Sequence, residues 1–186
     1  ALYLLYRSLA EVQEEEQVKI AMPKVGVMIE VPSILLQMRD LAELVDFFSV
    51  GSNDLTQYLL AVDRNNPRVA GLYSSYHPAV LRALNFLVRE AHHLNKPISI
   101  CGEMAGEPTT AILMMAMGFN VLSMSSSNIL RIRKTLSHVP LADAKSLLHE
   151  VLKMDSAPVI KSWLEHYLIK QGLGDMVKSN LALPNG

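Results

Sequence analysis

Asp46-Phe-Phe-Ser-Val-Gly-Ser-Asn-Asp54 is a short apolar run that ends in polar residues able to bind ligands, and the chain repeats this design. Val25-Gly-Val-Met-Ile-Glu30 and Ile98-Ser-Ile-Cys-Gly-Glu103 have the same form, and Val121-Leu-Ser-Met-Ser125 is a fourth, uncharged example. Runs of this length, separated by longer helical stretches, are typical of parallel strands joined by crossover helices. The sequence therefore predicts an α/β fold with about four parallel strands.

The repeated design also predicts a functional site. In parallel α/β sheets, ligands bind beyond the carboxyl ends of the strands, and these ends meet at one edge of the sheet. Glu30, Asn53, Asp54 and Cys101 would then converge on that edge and bring together two carboxylates, an amide and a thiol. This combination favours an enzyme.

The composition is that of an ordinary globular domain. The 186 residues are 50% hydrophobic and 19% charged, with a formal net charge of −1. That balance gives no electrostatic footprint for nucleic acid or a membrane surface, and no apolar stretch reaches the roughly 18 residues that span a bilayer. The single cysteine excludes an internal disulfide and fits a reducing cytoplasm, which is the expected location. A start in mid-helix without Met suggests a piece of a longer chain.

Four strand–helix units amount to half of an eight-stranded barrel of the TIM type. A complete barrel needs about 250 residues, which is more than this chain has. An open doubly wound sheet is the alternative, but no strand is followed by the Gly-x-Gly-x-x-Gly pattern of dinucleotide-binding folds. We expect half of a (β/α)8 barrel with extra C-terminal helices. Residues 1–174 would form this partial barrel domain, and residues 175–186 a frayed C-terminal tail.

Apolar spacing and helix-end signals predict where the helices lie. One helix is expected from Pro32 to about Leu44, a second is expected to open at Asp54, and a long one begins at Pro78. The remaining helices are expected at residues 1–17, 107–117, 129–137, 141–153 and 157–170.

Glu30 and Asp54 are candidate metal ligands because they follow neighbouring strands. Mg²⁺ takes oxygen ligands and is usually held by one or two carboxylates together with substrate phosphate oxygens. The alternative is that Glu30 ends a strand in solvent and Asp54 only caps a helix, a role that Asp fills well. Two carboxylates at equivalent positions favour the metal site. Cys and His spacings typical of zinc sites do not occur.

Asn53 and Arg64 are candidate ligands for an anionic group. The Asn53 amide can donate a hydrogen bond, although a lone Asn is more often a turn residue. Arg64 lies in the loop Asp63-Arg-Asn-Asn66, and its guanidinium could hold a phosphate or carboxylate through two bonds. An isolated loop arginine is more often solvated surface.

Cys101 has two interpretations. A free cysteine is commonly a small buried hydrophobe, but its position at a strand end, followed by Gly102 and Glu103, favours a role in the reaction. A thiol with an ordinary pKa of about 8.5 is mostly protonated at neutral pH. It could therefore supply a proton to carbon, and the absence of an evident Cys–His pair argues against a nucleophile.

Taken together, these motifs resemble a known family. Gly26-Val-Met-Ile-Glu-Val-Pro-Ser33, Asp46-Phe-Phe-Ser-Val-Gly-Ser-Asn-Asp-Leu-Thr-Gln-Tyr58, Ala61-Val-Asp-Arg-Asn-Asn66 and Cys101-Gly-Glu-Met-Ala-Gly106 resemble the phosphoenolpyruvate-binding barrel of enzyme I of the bacterial phosphotransferase system. The resemblance covers roughly residues 23–152, in order and without large gaps, and it implies that the chain is the second half of the (β/α)8 barrel. The last two motifs are most similar to the nitrogen-regulatory branch of that family.

The resemblance implies a role for each candidate residue. Glu30 and Asp54 would be Mg²⁺ ligands, Asn53 and Arg64 would bind the phosphoenolpyruvate phosphate, and Cys101 would protonate the enolpyruvate carbon. In the family the phosphoryl group passes to a histidine on a separate domain and then to a small histidine phosphocarrier protein. The C-terminal barrel of the family also dimerises, so a homodimer is expected.

Several family features are missing from the chain. The phosphohistidine signature occurs nowhere in it, and two arginines of earlier barrel strands would lie upstream of Ala1. The isolated chain is therefore expected to lack phosphotransferase activity. Two alternatives remain open: an assembly module that dimerises without binding ligand, and the barrel of an enzyme of the pyruvate phosphate dikinase or phosphoenolpyruvate synthase type.

Overall fold

The computed structural model describes residues 2–178, and its centre is a parallel sheet of four strands. The strands are β1 (Gly26–Ile29), β2 (Phe47–Gly51), β3 (Ile98–Cys101) and β4 (Val121–Leu122), and they lie in the order of the sequence, β1-β2-β3-β4. Each strand pairs in parallel with the next. This confirms the predicted α/β fold and its four parallel strands.

Helices connect the strands and extend the chain beyond the sheet. The α-helices are α1 (Leu2–Glu15), α2 (Met38–Ala42), α3 (Ser52–Leu60), α4 (Pro78–His93), α5 (Pro108–Met117), α6 (Ser126–His138), α7 (Leu141–Val151), α8 (Ala157–Lys170) and α9 (Gly174–Lys178). Short 3-10 helices span Pro32–Leu36, Ala70–Leu72 and Glu103–Gly106.

The two faces of the sheet differ in burial, because successive side chains of a strand point to opposite faces. On one face, Phe48, Val50 and Ile100 are fully buried in a single core with apolar residues of α4, α5, α7 and α8. On the other face, Met28 is 45% exposed and Val121 is 54% exposed. We call this second face the open face. It corresponds to the inside of a barrel of which the sheet forms half.

The core consists mainly of residues from the helices that cover the buried face of the sheet, which is the face opposite the open face. In α5, every residue except Met115 is buried, as expected for a helix that is apolar all round. By contrast, α1 contains no buried residue, and Tyr3, Leu4 and Tyr6 are each more than half exposed.

Helix boundaries differ from the predictions in several places. The helix expected from Pro32 to Leu44 is a 3-10 helix followed by the five-residue α2, because Gln37 between them has φ −117° and ψ 8°, outside the α-helical region. The helix expected to open at Asp54 begins at Ser52, so Asp54 lies within its first turn and does not cap it. The helix expected at residues 129–137 begins three residues earlier, at Ser126.

The boundary between domain and tail also needs correction. Residues of the expected tail continue the fold, because α9 runs to Lys178 and packs Met176 and Val177 against the core. Residues 179–186 of the expected tail lie outside the described residues. Within residues 2–178, none of the helices has the length and apolar character needed to cross a membrane.

Candidate functional site

The carboxyl ends of β1, β2 and β3 bring Glu30, Gly51 and Cys101 next to one another. The register pairs Ile29 with Val50 and Gly51 with Cys101, so Glu30 follows directly beside Gly51. A Cβ atom built on Gly51 would lie 2.8 Å from Glu30 Oε1. The glycine therefore leaves room for the Glu30 carboxylate to lie across the end of β2.

Asp54 and Arg64 form an ion pair at the same edge. Arg64 Nη2 lies 3.7 Å from Asp54 Oδ1, with the two side chains 34% and 42% exposed. The Arg64 backbone N–H donates to Gln57 Oε1 at 3.2 Å, which ties the loop back to α3. Exposed ion pairs of this kind contribute little to stability, typically less than about 1 kcal/mol. The arrangement therefore supports a ligand-binding role for Arg64 better than a structural one.

Asn53 is held at both its side chain and its backbone. Its Oδ1 accepts a hydrogen bond from the Glu103 backbone N–H at 3.2 Å, and its carbonyl oxygen accepts one from the Tyr73 hydroxyl at 3.3 Å. Since Oδ1 is used in this way, the Nδ2 end of the amide is the end that can donate to a ligand. This is the polarity that an anionic ligand requires.

Cys101 lies at the end of β3 and is partly buried. Its thiol donates to the Val50 carbonyl oxygen at 3.5 Å. Burial raises the pKa of the Cys101 thiol, and the negative charges of Glu30 and Asp54 raise that pKa further. The thiol is thus protonated at neutral pH, which suits a proton donor and not a nucleophile.

Two cavities open at this edge and share Asn53 and Glu103. One has a volume of about 440 Å³, and its lining includes Arg64 and Tyr73. The other has a volume of about 480 Å³, and its lining includes Gly102 and Ser123. A more apolar cavity of about 330 Å³ lies along the strands of the open face, where it is lined by Phe47 and Val121. Asn53 lines both of the first two cavities and Arg64 lines one of them, whereas Glu30, Asp54 and Cys101 are not among the lining residues of these three cavities. Because none of the five predicted site residues lines the third cavity, we assign the candidate site to the edge where the first two open.

The structure places all five predicted site residues at one edge of the sheet: Glu30, Asn53, Asp54, Arg64 and Cys101. Within residues 2–178, no group of three or more His, Cys, Asp or Glu side chains is arranged to hold a metal ion. A metal held here would therefore depend on two carboxylates and on ligands from substrate or water, which is the usual way that Mg²⁺ is bound.

Two residues of the site were not predicted from the sequence. Ser52 is buried, and its hydroxyl bonds to the Cys101 carbonyl oxygen. Tyr73 reaches Asn53 from 20 residues along the chain. Ser52 stands between Gly51 and Asn53, so its position at a strand end was a usable signal. Nothing in the local sequence marks Tyr73, because it follows a loop and a short 3-10 helix.

Comparison with known proteins identifies the family of this chain. Residues 2–141 match the model of the family described as "PEP-utilising enzyme, PEP-binding domain". The chain is 39% identical over 178 residues to a protein of Salmonella typhimurium named "Phosphoenolpyruvate-dependent phosphotransferase system", and equally identical to the protein of that name in Escherichia coli K12. Each alignment covers 96% of this chain and 24% of the relative.

A relative from Haemophilus influenzae, named "Phosphoenolpyruvate-protein phosphotransferase", is 39% identical over 164 residues. That alignment covers 88% of this chain and 28% of the relative. The chain thus spans about a quarter of the length of the curated relatives that it matches. All five predicted site residues fall within the matched residues 2–141.

Proposed function

The chain belongs to the family of PEP-utilising enzymes with a PEP-binding domain, and from that premise we propose that it is the phosphoenolpyruvate-binding part of a phosphoenolpyruvate-protein phosphotransferase. One observation carries the proposal. Two carboxylates, an amide donor, a guanidinium and a protonated thiol share one edge of a parallel sheet. Phosphoenolpyruvate would need all four kinds of group. The carboxylates would hold its metal ion, the amide and the guanidinium would bind its phosphate, and the thiol would protonate its enol carbon.

Glu30 and Asp54 would hold Mg²⁺. Their oxygens are the ligand type that Mg²⁺ prefers, and two carboxylates leave coordination positions for phosphate oxygens. When bound, the ion would offset negative charge on the transferring phosphoryl group. The Asp54–Arg64 ion pair places the Arg64 guanidinium beside one of these carboxylates, where it would also offset the charge of the phosphoryl group.

Asn53 and Arg64 would bind and orient the phosphate of phosphoenolpyruvate. The phosphorus–oxygen bond to the enol then breaks as a bond to a histidine nitrogen of the enzyme forms, and the enolate of pyruvate is left. Cys101 would give its thiol proton to the terminal carbon of that enolate, which yields pyruvate and a thiolate that solvent reprotonates. The raised pKa of the Cys101 thiol supports this role, because it keeps the proton available at neutral pH.

The partners follow from the same proposal. The phosphohistidine would pass its phosphoryl group to a small histidine phosphocarrier protein, and the enzyme would act in the cytoplasm as a homodimer. The motifs at Asp63-Arg-Asn-Asn66 and Cys101-Gly-Glu-Met-Ala-Gly106 favour the nitrogen-regulatory branch.

The experiment uses the parent enzyme that carries this chain. We expect phosphoenolpyruvate labelled at phosphorus to label the enzyme in the presence of Mg²⁺, with an acid-labile bond typical of phosphohistidine. Removal of Mg²⁺ by a chelator should abolish the labelling, and Arg64→Lys should weaken it, since lysine keeps the charge but loses the two-bond geometry. Labelling that is unaffected by both changes would contradict the proposed site.

A second candidate function is an assembly module that binds no ligand. The open face and the exposed apolar residues of α1 favour it, since both present apolar surface to solvent. Heat denaturation separates the two functions. Phosphoenolpyruvate with Mg²⁺ should raise the melting temperature of the parent enzyme if the site binds, and leave it unchanged if the domain only assembles.

A further inference from the structure

Ser52 is a buried polar residue beside the candidate site. It is the first residue of α3 and is 1% exposed. Its hydroxyl donates to the Cys101 carbonyl oxygen at 2.6 Å, between residues 49 positions apart in sequence. The bond joins the beginning of α3 to the end of β3, at the residue that carries the thiol.

The segment after Cys101 packs tightly against Ser52 and Asn53. Gly102 has φ +97°, a conformation that favours glycine. A Cβ atom built on Gly102 would collide with Ser52 Oγ and would lie 2.9 Å from Asn53 Oδ1. The same Oδ1 accepts the hydrogen bond from the Glu103 backbone N–H. Consecutive side chains of α3 thus hold consecutive peptide groups of the segment that contains Cys101.

The geometry points to Ser52 as a positioning residue, which fixes the Cys101 main chain and thereby the place of the Cys101 thiol at the edge of the sheet. Ser52 would not touch the substrate, because its hydroxyl is buried and already bonded to the Cys101 carbonyl. The catalytic consequence of this inference rests on the proposed function, whereas its structural part does not.

The structural part can be tested on this chain alone, because Cys101 is its single cysteine. Ser52→Ala removes the hydroxyl and adds no atoms, so the chain should stay folded. We expect the rate constant for alkylation of Cys101 by iodoacetamide at pH 8 to rise about two- to tenfold, the range that corresponds to the loss of one hydrogen bond. An unchanged or lower rate would overturn the inference.

Thr135→Val is the matched control for this measurement. Thr135 is also fully buried, and its hydroxyl donates to a backbone carbonyl, that of Arg131, at 3.0 Å within α6. The substitution removes a hydroxyl–carbonyl bond of the same kind away from the β3 end. Its alkylation rate should match that of the unsubstituted chain. If Thr135→Val raises the rate as much as Ser52→Ala does, general loosening explains the effect and the inference fails.

The catalytic part is tested in the parent enzyme through pyruvate formation. Ser52→Ala should lower kcat about two- to tenfold, while KM for phosphoenolpyruvate stays within about twofold, because Asn53 and Arg64 are unchanged. Ser52→Thr keeps the hydroxyl and should restore kcat. A rise in KM at unchanged kcat would overturn the positioning role.

The two measurements fail in different ways. Faster alkylation of Ser52→Ala in this chain, together with a parent enzyme that forms no pyruvate, would reject the proposed function and leave the positioning role standing. Unchanged alkylation of Ser52→Ala in this chain, together with a parent enzyme that does form pyruvate, would reject the positioning role and leave the proposed function standing.

Discussion

At the scale of the residue, Cys101 shows how the surrounding charges set the state of a thiol. Burial and the carboxylates of Glu30 and Asp54 both raise the pKa of that thiol. Removal of one negative charge should therefore lower the pKa and increase the thiolate fraction at a fixed pH. We predict that Glu30→Gln speeds alkylation of Cys101 at pH 8, because the thiolate is the reactive form.

Glu43→Gln serves as the control for this measurement, since Glu43 is an exposed carboxylate at the end of α2. Its alkylation rate should equal that of the unsubstituted chain. Slower alkylation of Glu30→Gln would show that Glu30 does not act on Cys101 through its charge.

Arg64 gives a second prediction at this scale. Its ion pair with Asp54 is partly exposed, so Arg64→Ala should change the free energy of unfolding of the chain by less than about 1 kcal/mol. In the parent enzyme the same substitution should lower phosphoenolpyruvate turnover roughly tenfold to a hundredfold, the range for loss of a charged hydrogen bond. Urea denaturation and pyruvate formation measure the two effects. A large loss of stability together with normal turnover would return Arg64 to a structural role.

At the scale of the element, hydrogen bonds of Tyr76 connect the segment just before α4 to the start of α5. Its hydroxyl bonds to the Glu107 carboxylate and, at 2.7 Å, to Thr109 Oγ1. We predict that Tyr76→Phe lowers the free energy of unfolding by about 1–3 kcal/mol, because two buried or partly buried polar groups lose this partner. Urea denaturation at neutral pH measures the loss.

The same bond predicts a dependence on pH. Burial, and then the charge of Glu107, raise the pKa of Tyr76. The pKa of Tyr76 is therefore higher in the folded state than the value of about 10 in the unfolded state. As a result, the contribution of the Tyr76 hydroxyl to the free energy of unfolding is complete below about pH 10 and is lost as the pH rises above it. The stability difference between the unsubstituted chain and Tyr76→Phe should be constant from pH 6 to about pH 9 and shrink above pH 10. A difference that grows above pH 10 would contradict this account.

Elements also show how far the sequence predicts the structure. Helix α8 has the predicted bounds, 157–170, because its apolar spacing and its proline start agree. The prediction of one continuous helix from Pro32 to Leu44 was wrong, because the backbone of Gln37 lies outside the α-helical region. Apolar spacing does not reveal such a break. Glu30, Asp54 and Cys101 could be grouped because each lies at the end of a strand or just after it. Tyr73 could not, since only the folded loop brings it to Asn53.

At the scale of the whole molecule, the open face has to be covered. All-parallel sheets are normally buried on both faces, yet Met28 and Val121 are exposed here, and β1 and β4 are the edge strands of the sheet. We predict that the isolated chain associates at micromolar concentration, and that Val121→Lys weakens the association by placing a charge on the open face. Sedimentation velocity measures both.

Leu130→Lys is the control for this substitution. Leu130 is 77% exposed on α6 and lies outside the sheet, so the change adds the same charge at a different surface. It should leave the association unaffected. A monomer at tens of micromolar, or equal effects of the two lysines, would show that the open face is not the surface through which copies meet.

The order of the strands has a consequence for biosynthesis. Because β1, β2, β3 and β4 lie side by side in the order in which they are translated, each new strand leaving the ribosome finds its neighbour already made. Because every pairing joins successive strands, the connections that are closed, residues 30–46, 52–97 and 102–120, are shorter than those of any other strand order. The sheet can therefore grow one strand at a time during synthesis, and Glu30, Asp54 and Cys101 reach their common edge in the order in which their codons are translated.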